Sequence, residues 1–256
     1  VKKEKNNSGN KFFDWHDFEN SVRIGARMLD NVIDINNYPI PSIEEMSLNT
    51  RKTGLGVMGL GNMLYELSIP YNSEAGLKEM ERIGESLNYF SKLESIELSK
   101  ARGKFPYYTK SFYSEGRLPF SASLTKSNTN YDWSKVRDGI KKHGIRNSVT
   151  TVIAPTGSIS MIAGTSSGME PVYSLIFEKN VAVGSFYYVD PVFEETMLRE
   201  GLFDENLIKN VLENKGSLQN IAYIPPKFKK IFVCAHDIPP EDHIKALAAF
   251  QKWIDS

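Results

Sequence analysis

The sequence predicts an α/β fold, in which short strands are separated by helices. Apolar residues recur at helical spacing of three and four, and short apolar runs end in turns. Hydrophobic residues make up 41% of the 256-residue chain, which is enough for a core. Lysine plus arginine equals aspartate plus glutamate at 31 each, so no overall charge favours a nucleic acid or a membrane as partner.

The expected location is the cytoplasm. The chain has no apolar run long enough to span a bilayer, and no secretory leader is recognisable at Val1. Its single cysteine, Cys234, allows no intrachain disulfide, which is typical of a reducing compartment.

Helices in the first half of the chain are predicted from their caps and stops. Residues 1–17 are predicted to form a lead-in segment, whose first ten residues, VKKEKNNSGN, are charged and polar with a glycine. The first predicted helix is capped by Asp14 or Asp17, runs to Ile33 and is stopped by Tyr38–Pro41. A short second helix has a capping box of Ser42 and Glu45. A third covers 62–67, and a long fourth runs from Ser73 to Arg102–Gly103.

The second half combines strands and helices. Residues 104–130 read as a long surface excursion without regular structure. The elements predicted after it are a strand, turn and helix over 148–162, strands over 186–189 and 231–234, a helix over 191–200, and a helix from Pro240 through Ile254.

A GxGxxG pattern spans Gly54 to Gly59, but the pattern alone is a weak signal for a dinucleotide. A dinucleotide fold needs a buried strand before the glycines, and residues 49–53 (NTRKT) are not one. Glu74 lies at the right distance for the ribose-binding acid, yet it belongs to a separate helix. The sequence therefore favours structural glycines over NAD binding.

The stretch IAPTGSISMIAG, residues 153–164, predicts a tight turn that leads from a strand into a helix. Such a turn points unpaired N–H groups and the positive end of the helix dipole at one spot. Thr156 and Ser158 add hydroxyl donors, and Gly157 allows close approach to the backbone. These features indicate a phosphate cradle, with a plain N-cap as the alternative. No Walker lysine is present, which argues against transfer of a terminal phosphoryl group.

Two further groups of residues have more ordinary interpretations. A cluster of potential zinc ligands fits no common zinc spacing, and a strand end followed by a capped helix explains it; its members are Cys234, His236, Asp237, Asp242 and His243. Several aromatic side chains could stack on bases, but without a basic patch beside them packing is favoured; these are Tyr107, Tyr108, Trp133, Tyr187 and Tyr188. His16 and His143 are expected at the surface.

Four stretches in order carry a resemblance to a known family: VRIGARMLDNVID at 22–34, RKTGLGVMGLGNMLYELSIPY at 51–71, the segment 146–171 around PTGSI, and FVCAHDIPPEDHIKALAAFQKWID at 232–255. Together they resemble the catalytic subunit of ribonucleotide reductase, most closely its adenosylcobalamin-dependent class II form. The resemblance covers nearly the whole chain from Phe18 onward.

The resemblance implies a ten-stranded α/β barrel, of which residues 18–256 form a part. It implies adenosylcobalamin as cofactor, a thiol reductant, and a ribonucleoside di- or triphosphate as substrate. The substrate phosphates would bind to the turn, whose residues are Pro155, Thr156, Gly157, Ser158 and Ile159. Glycines 54 to 61 would serve close backbone packing beside the barrel.

The family's radical cysteine, reducing cysteine pair and ribose-binding asparagine and glutamate lie outside the region of resemblance, so no catalytic residue and no metal ligand is assigned in this chain. Cys234 is not given any of the three cysteine roles. We therefore expect a split or truncated reductase portion that is inactive alone. Its exposed strand edges are expected to bind the remaining portion or to self-associate. The alternatives are a class I large-subunit portion and a non-catalytic nucleotide-binding remnant.

Overall fold

The computed structural model describes residues 1–3, 11–119, 129–181 and 184–255, leaving aside the side chains of 179–186. These residues form two compact units. The first unit comprises Val1–Phe13, Val57–Met80 and Pro155–Ala248, and the second comprises Asp14–Gly56, Glu81–Ala154 and Ala249–Ser256. In the part of the chain that the structure describes, no helix is both long and apolar enough to cross a membrane.

Helices dominate both units. The α-helices are α1 Trp15–Ile35, α2 Pro41–Thr50, α3 Leu60–Glu66, α4 Glu74–Arg102, α5 Ser134–His143, α6 Gly157–Ala163, α7 Pro191–Arg199, α8 Glu205–Glu213, α9 Pro226–Ile231 and α10 Pro240–Gln251. The strands are β1 Lys2–Lys3, β2 Lys11–Phe12, β3 Ile176–Val181 and β4 Gly184–Val189, and the 3-10 helices are Pro106–Lys110, Phe112–Glu115 and Ala235–Asp237.

Two of the predicted helix caps are present. Asp14 caps α1 by accepting a hydrogen bond from the Asp17 N–H at 2.9 Å. Ser73 caps α4 by accepting from the Gly76 N–H at 3.0 Å, and Gly103, with φ +83°, ends that helix. A left-handed residue after the last turn is the usual end of a helix, and glycine adopts it without strain.

The capping box predicted for α2 is wrong. Ile40 is the N-cap of this helix, and no side chain caps it. Pro41 occupies the first helical position, where its missing N–H costs nothing. Ser42 therefore lies inside the first turn instead of before it, and cannot bond the N–H groups that a cap would satisfy.

Helix α4 is more enclosed than its apolar stripe predicted. Between Ile83 and Ser99 nearly every residue is buried, including Glu85, Asn88 and Lys92. Each of these three residues forms side-chain hydrogen bonds: the Lys92 ammonium donates to the Asp255 carboxylate at 2.5 Å, and the Asn88 amide N–H groups donate to the Trp253 carbonyl and to Asp255. The second unit thus has a polar interior around its central helix.

The strand predicted before the turn is present only as a short paired segment. Leu55 forms an isolated parallel bridge with Thr151. The Leu55 N–H donates to the Thr150 carbonyl at 2.9 Å, and the Val152 N–H donates to the Leu55 carbonyl at 3.1 Å. The described strands close no barrel; this bridge is the parallel pairing that the second unit shows.

The excursion predicted over 104–130 has more regular structure than expected. It begins with the two 3-10 helices between Pro106 and Glu115, and Phe105 and Tyr113 anchor it in the interior. Residues 120–128 of this stretch lie outside the described residues. Helix α5, which follows it, was not predicted from the sequence.

The first unit contains an antiparallel β3–β4 hairpin, in which Ile176 pairs with Val189 and Phe177 with Tyr188. The predicted strand 186–189 is part of β4. Helices α3, α7, α8 and α9 share one apolar core with it, formed by Tyr65, Val172, Leu175, Ile176, Val192, Phe193, Met197, Leu207, Val211, Leu218, Ile221, Ile224, Phe228, Phe232 and Cys234.

The strand predicted over 231–234 is wrong. Ile231 is the last residue of α9, and the Phe232 N–H donates to the Phe228 carbonyl at 2.8 Å, which continues the helical pattern. An apolar run this short has no periodicity to separate a strand from the end of a buried helix. Helix α10 begins at Pro240 as predicted and ends at Gln251, before Ile254.

The carboxylate of Asp30, which is fully buried in the second unit, binds three arginines. Arg51 donates from Nε at 2.9 Å and from a terminal nitrogen at 2.8 Å. Arg102 and Arg146 donate to the other carboxylate oxygen at 3.2 and 3.5 Å. Asn147 adds a further bond at 3.0 Å. Asp30 therefore connects α1, the residue after α2, the end of α4 and the segment at 146–147.

We expect Asp30→Asn to lower the free energy of unfolding by up to about 3–5 kcal/mol, because it removes the buried carboxylate that three arginines share and leaves Arg51 with Asp34 as its remaining counter-ion. Urea unfolding followed by circular dichroism measures this change. Glu74→Gln is the matched control, since Glu74 pairs with Lys78 on an exposed helix surface and its loss should change little. Equal effects of the two substitutions would contradict the central role of Asp30.

Candidate functional site

The candidate site begins where the paired segment 149–152 leaves the second unit's core. Gly54 and Gly56 lie against it: a Cβ at Gly54 would be 2.9 Å from the Val152 Cγ1, and one at Gly56 would be 3.0 Å from the Val152 carbonyl oxygen. A side chain at either glycine would push the segment away. The glycines therefore set the close approach of two chain segments.

Within the first unit, the turn at 155–159 starts helix α6. Thr156 precedes the helix in the left-handed conformation, with φ 52° and ψ 25°. That conformation is strained for a β-branched residue and is kept only where the surroundings enforce it. Two hydrogen bonds enforce it here: the Gly168 N–H donates to the Thr156 Oγ1 at 2.7 Å, and the Ser160 N–H donates to the Thr156 carbonyl at 2.9 Å.

The N-terminal face of α6 is open to solvent. The bond from Ser160 to Thr156 is the first of the i to i−4 type, so the three N–H groups before it, on residues 157–159, point out of the helix end. Gly157 and Ser158 are exposed, and a Cβ added at Gly157 meets no described atom within 4 Å. The turn can therefore present several donors to an anion without rearrangement.

A pocket of about 540 Å³ lies beside α6 in the first unit. At its base the Asn62 amide donates to the Asp190 carboxylate at 2.6 Å and accepts from the Ser166 N–H at 2.6 Å. Asp190 also caps α7 through the N–H groups of Val192 and Phe193. Burial raises the pKa of Asp190, although these hydrogen bonds oppose the shift. Asn62 and Asp190 thus hold the segment after α6 on the start of α3.

The last two glycines of the 54–61 run also have packing roles. Gly59 has φ +81°, and a Cβ there would lie 2.5 Å from the Thr165 Oγ1. A Cβ at Gly61 would lie 3.0 Å from the Glu170 carbonyl oxygen. Since helix α2, not a strand, precedes this run, the geometry favours the structural interpretation of these glycines over dinucleotide binding.

The potential zinc ligands near the C-terminus are engaged within the protein. Asp237 accepts from the Cys234 N–H at 2.9 Å and from the Ser217 hydroxyl at 2.7 Å. The His243 ring bonds the Ala235 carbonyl, and Asp242 pairs with Lys245. Over residues 1–3, 11–119, 129–181 and 184–255, no group of three or more His, Cys, Asp or Glu side chains could hold a metal ion.

The Cys234 thiol is 1% exposed and donates to the Gly216 carbonyl at 3.2 Å. Burial, with the nearby Asp237 charge, raises the pKa of Cys234 to about 12. A thiol in this state is a core side chain with little thiolate at neutral pH. Cys234 is therefore placed as a packing residue of the first unit's core.

The aromatic residues considered for base stacking are spread over different parts of the fold. Trp133 is buried and donates to the Glu85 carboxylate, and Tyr108 lies under the Lys104 ammonium in the second unit. Tyr187 and Tyr188, in the hairpin of the first unit, are 60% and 38% exposed. Of the two isolated histidines, His16 is exposed and bonds Asn20, and His143 is half-buried.

Sequence reasoning missed the polar residues that support the turn. Asp190 carried a visible signal, because an aspartate directly before Pro191 is a typical helix cap. Asn62 and Ser166 carried none, since their contacts join segments about a hundred residues apart. The buried Lys92–Asp255 pair was hidden for the same reason.

Residues 2–256 match the family of the ribonucleotide reductase barrel domain. The chain belongs to this family. The predicted fold class, an α/β fold of the reductase barrel type, is therefore confirmed. The described residues contribute helices, the hairpin and one parallel bridge to that fold, without a closed barrel.

Named relatives extend well beyond the matched region. The chain is 35% identical to the ribonucleoside-diphosphate reductase subunit alpha of Chlamydia pneumoniae, covering 96% of this chain and 25% of the relative. It is 39% identical to a vitamin B12-dependent ribonucleoside-diphosphate reductase of Thermoplasma acidophilum, covering 96% and 29%. It is 32% identical to the ribonucleoside-diphosphate reductase large chain of Encephalitozoon cuniculi, covering 95% of this chain and 32% of the relative. The chain thus spans about a quarter to a third of these reductases.

We expect the Cys234 thiol to be unreactive toward a disulfide reagent at pH 8 in the folded chain, because it is buried and protonated. In urea the same chain should react with one equivalent at the rate of a free thiol. The change in absorbance of the released thiolate measures both rates. Fast reaction of the native chain would contradict the buried position.

Proposed function

We propose that this chain is the substrate-phosphate-binding portion of a ribonucleotide reductase, in which residues 155–159 bind the diphosphate of a ribonucleoside diphosphate. Membership of the reductase family supports the activity, and the open turn before α6 supports the role of these residues. The proposed substrate is a diphosphate because the Chlamydia pneumoniae and Thermoplasma acidophilum relatives carry that word in their names. The proposed location is the cytoplasm, where deoxynucleotides are needed for DNA synthesis.

The observation that carries the proposal is the geometry of the turn. N–H groups of residues 157–159 face solvent together with the positive end of α6, and both favour a phosphate. Gly157 leaves open space where a side chain would block the approach. Thr156 is already held in its strained conformation by Gly168 and Ser160, so binding need not supply that strain energy.

The reduction itself is assigned to the remaining portion of the enzyme. Thiyl-radical chemistry in the family needs a radical cysteine and a separate pair of reducing cysteines, and this chain has one cysteine in total. That cysteine lies in a hydrophobic core. The chain's own residues therefore bind and orient the nucleotide, while a partner polypeptide or segment supplies hydrogen abstraction and, with a thiol reductant, the electrons.

The cofactor proposed from the resemblance is adenosylcobalamin, and the B12-dependent relative supports it. One pocket of the first unit has a volume of about 660 Å³, a size suited to drug-sized ligands. Cobalamin carries its cobalt within the corrin ring, so it needs a matching surface and not a cluster of protein metal ligands. The support for this cofactor is therefore the likeness to B12-dependent reductases.

A class I reductase is the second candidate. The Chlamydia pneumoniae and Encephalitozoon cuniculi relatives are named as a subunit alpha and a large chain, without reference to vitamin B12. The phosphate-binding role of the turn is the same in either class. A non-catalytic nucleotide-binding remnant is the third reading, and the single buried cysteine is the observation that favours it.

We expect the chain to bind inorganic pyrophosphate and ADP, and Gly157→Val to weaken that binding at least tenfold. A valine would fill the space that the phosphate needs, yet it meets no described atom of the protein, so the thermal midpoint should stay nearly unchanged. Isothermal titration calorimetry measures the binding. Ile162→Val is the matched control, because Ile162 is 86% exposed at the other end of α6.

Absence of pyrophosphate binding by the unmodified chain would contradict the phosphate role of the turn. Equal affinities of the Gly157→Val and Ile162→Val variants would place the binding site elsewhere.

The chain alone should form no deoxynucleotide from ADP in the presence of adenosylcobalamin and a dithiol, because it has no pair of cysteines to oxidise. Chromatographic detection of deoxyadenosine diphosphate checks this expectation. Formation of that product by the pure chain would contradict the proposal that the reducing cysteines lie outside this chain. The outcome of the phosphate-binding experiment does not depend on this result.

A further inference from the structure

The pocket beside α6 keeps aromatic surface open to solvent. Three of its side chains are aromatic: Tyr173, Phe177 and Tyr188. The rings of Phe177 and Tyr188 belong to paired residues of the β3–β4 hairpin, and their centroids are 4.9 Å apart. Tyr173 is 68% exposed and Tyr188 is 38% exposed. A ligand in the pocket would therefore meet ring surface that the core of the unit leaves free.

The charged side chains of this pocket are acidic. Glu170 lines it from an exposed position, and Asp190 lies at its base. The donors bonded to the Asp190 carboxylate are the Asn62 amide and the N–H groups of Val192 and Phe193, which are all neutral. Among the described residues that line the pocket there is no lysine, arginine or histidine. The pocket therefore attracts positive charge and repels anions.

Rings and carboxylates together favour an organic cation over a metal ion. The face of an aromatic ring attracts an ammonium group through its quadrupole, and the attraction grows as water is excluded. A divalent metal ion instead needs several oxygen ligands at close range. No group of three or more His, Cys, Asp or Glu side chains in the described part of the chain meets that need. The chemistry of the walls is thus that of an ammonium site.

The volume of the pocket suits a small aliphatic molecule. About 540 Å³ lies within the usual range for small-molecule sites. Met161, Pro171 and Val172 contribute apolar surface. An alkyl chain can pack on such surface while its charged end group stays near the carboxylates, as the stems of lysine side chains do on proteins. The pocket thus matches a molecule with a short alkyl chain and a charged amine.

The pocket is separate from the phosphate-binding turn. Helix α6 contributes Ser160 and Met161 to it, whereas residues 155–159 are not among the described residues that line it. The turn presents N–H donors, which suit an anion, and the pocket presents carboxylates, which do not. The two places therefore select ligands of opposite charge.

We propose that the pocket beside α6 binds a small aliphatic amine in its ammonium form. The aromatic rings and carboxylates hold the charged group, and the alkyl chain packs on Met161 and Val172. Aliphatic amines are protonated at neutral pH, so the ion is the form available in solution. This site goes beyond the proposed phosphate binding and does not depend on it.

Titration of the unmodified chain with pentylamine at pH 8 tests the proposal, and isothermal titration calorimetry measures the affinity. Pentanol and pentanoate are the matched ligands, because they have a similar chain with a neutral and a negative end group. We expect pentylammonium to bind at least about tenfold more tightly than pentanol, and pentanoate not to bind.

Two variants locate the binding. Glu170→Gln removes a charge at nearly constant size, and Tyr173→Leu removes a ring from an exposed position. Each should weaken pentylammonium binding about threefold to fivefold. Glu205→Gln is the matched control, because Glu205 is an exposed carboxylate on α8 that does not line the pocket. Circular dichroism should show unchanged folding in all three variants.

Equal affinities for pentylammonium and pentanol would overturn the proposal, since the pocket would then recognise apolar surface alone. It would equally fail if Glu205→Gln weakened binding as much as Glu170→Gln, or if the unmodified chain bound no pentylammonium at millimolar concentrations. Loss of pentylammonium affinity in Glu170→Gln, with unchanged binding of pentanol, would support it.

Discussion

The buried carboxylate of Asp30 is the constraint on which the second unit depends. A charge removed from water is stable only when its partners and hydrogen bonds are complete. Asp30 is fully buried, and four residues, three arginines and one asparagine, donate hydrogen bonds to its carboxylate. Arg51 reaches it from a left-handed backbone conformation, φ 45°, directly after α2. The ion pair holds Arg51 in place, and Arg51 begins the segment that leads to Leu55 and its parallel bridge. The ion pair therefore sets the direction in which the chain enters the bridge.

In the first unit a buried carboxylate, that of Asp190, is satisfied by a side-chain amide instead of an ion pair. Asn62 satisfies the buried Asp190 carboxylate with its N–H and the Ser166 N–H with its carbonyl oxygen. Burial raises the pKa of Asp190, although its hydrogen bonds oppose the shift. Each unit thus has its own buried carboxylate network, one around Asp30 and one around Asp190.

Local chemistry decided which elements could be predicted. Asp14, Ser73 and Gly103 act on residues within one helical turn, so their caps were readable from sequence. The run at 231–234 was misread, because its first residue, Ile231, ends helix α9, whose Phe228 packs in a core built from distant residues. The turn at 155–159 was located correctly from its glycine and hydroxyls. Its left-handed Thr156 was not foreseen, since Gly168 imposes it from twelve residues away.

The strain at Thr156 bears on how the turn would act. A β-branched residue in the left-handed region costs on the order of 1–3 kcal/mol, and folding of the first unit meets that cost through the bonds from Gly168 and Ser160. An incoming phosphate would then find donors already oriented and would lose little affinity to ordering the loop. The buried, protonated Cys234 contributes nothing comparable to electron transfer. Under the proposed function, this preorganised turn binds the substrate phosphates, and the reducing cysteines belong to the rest of the reductase.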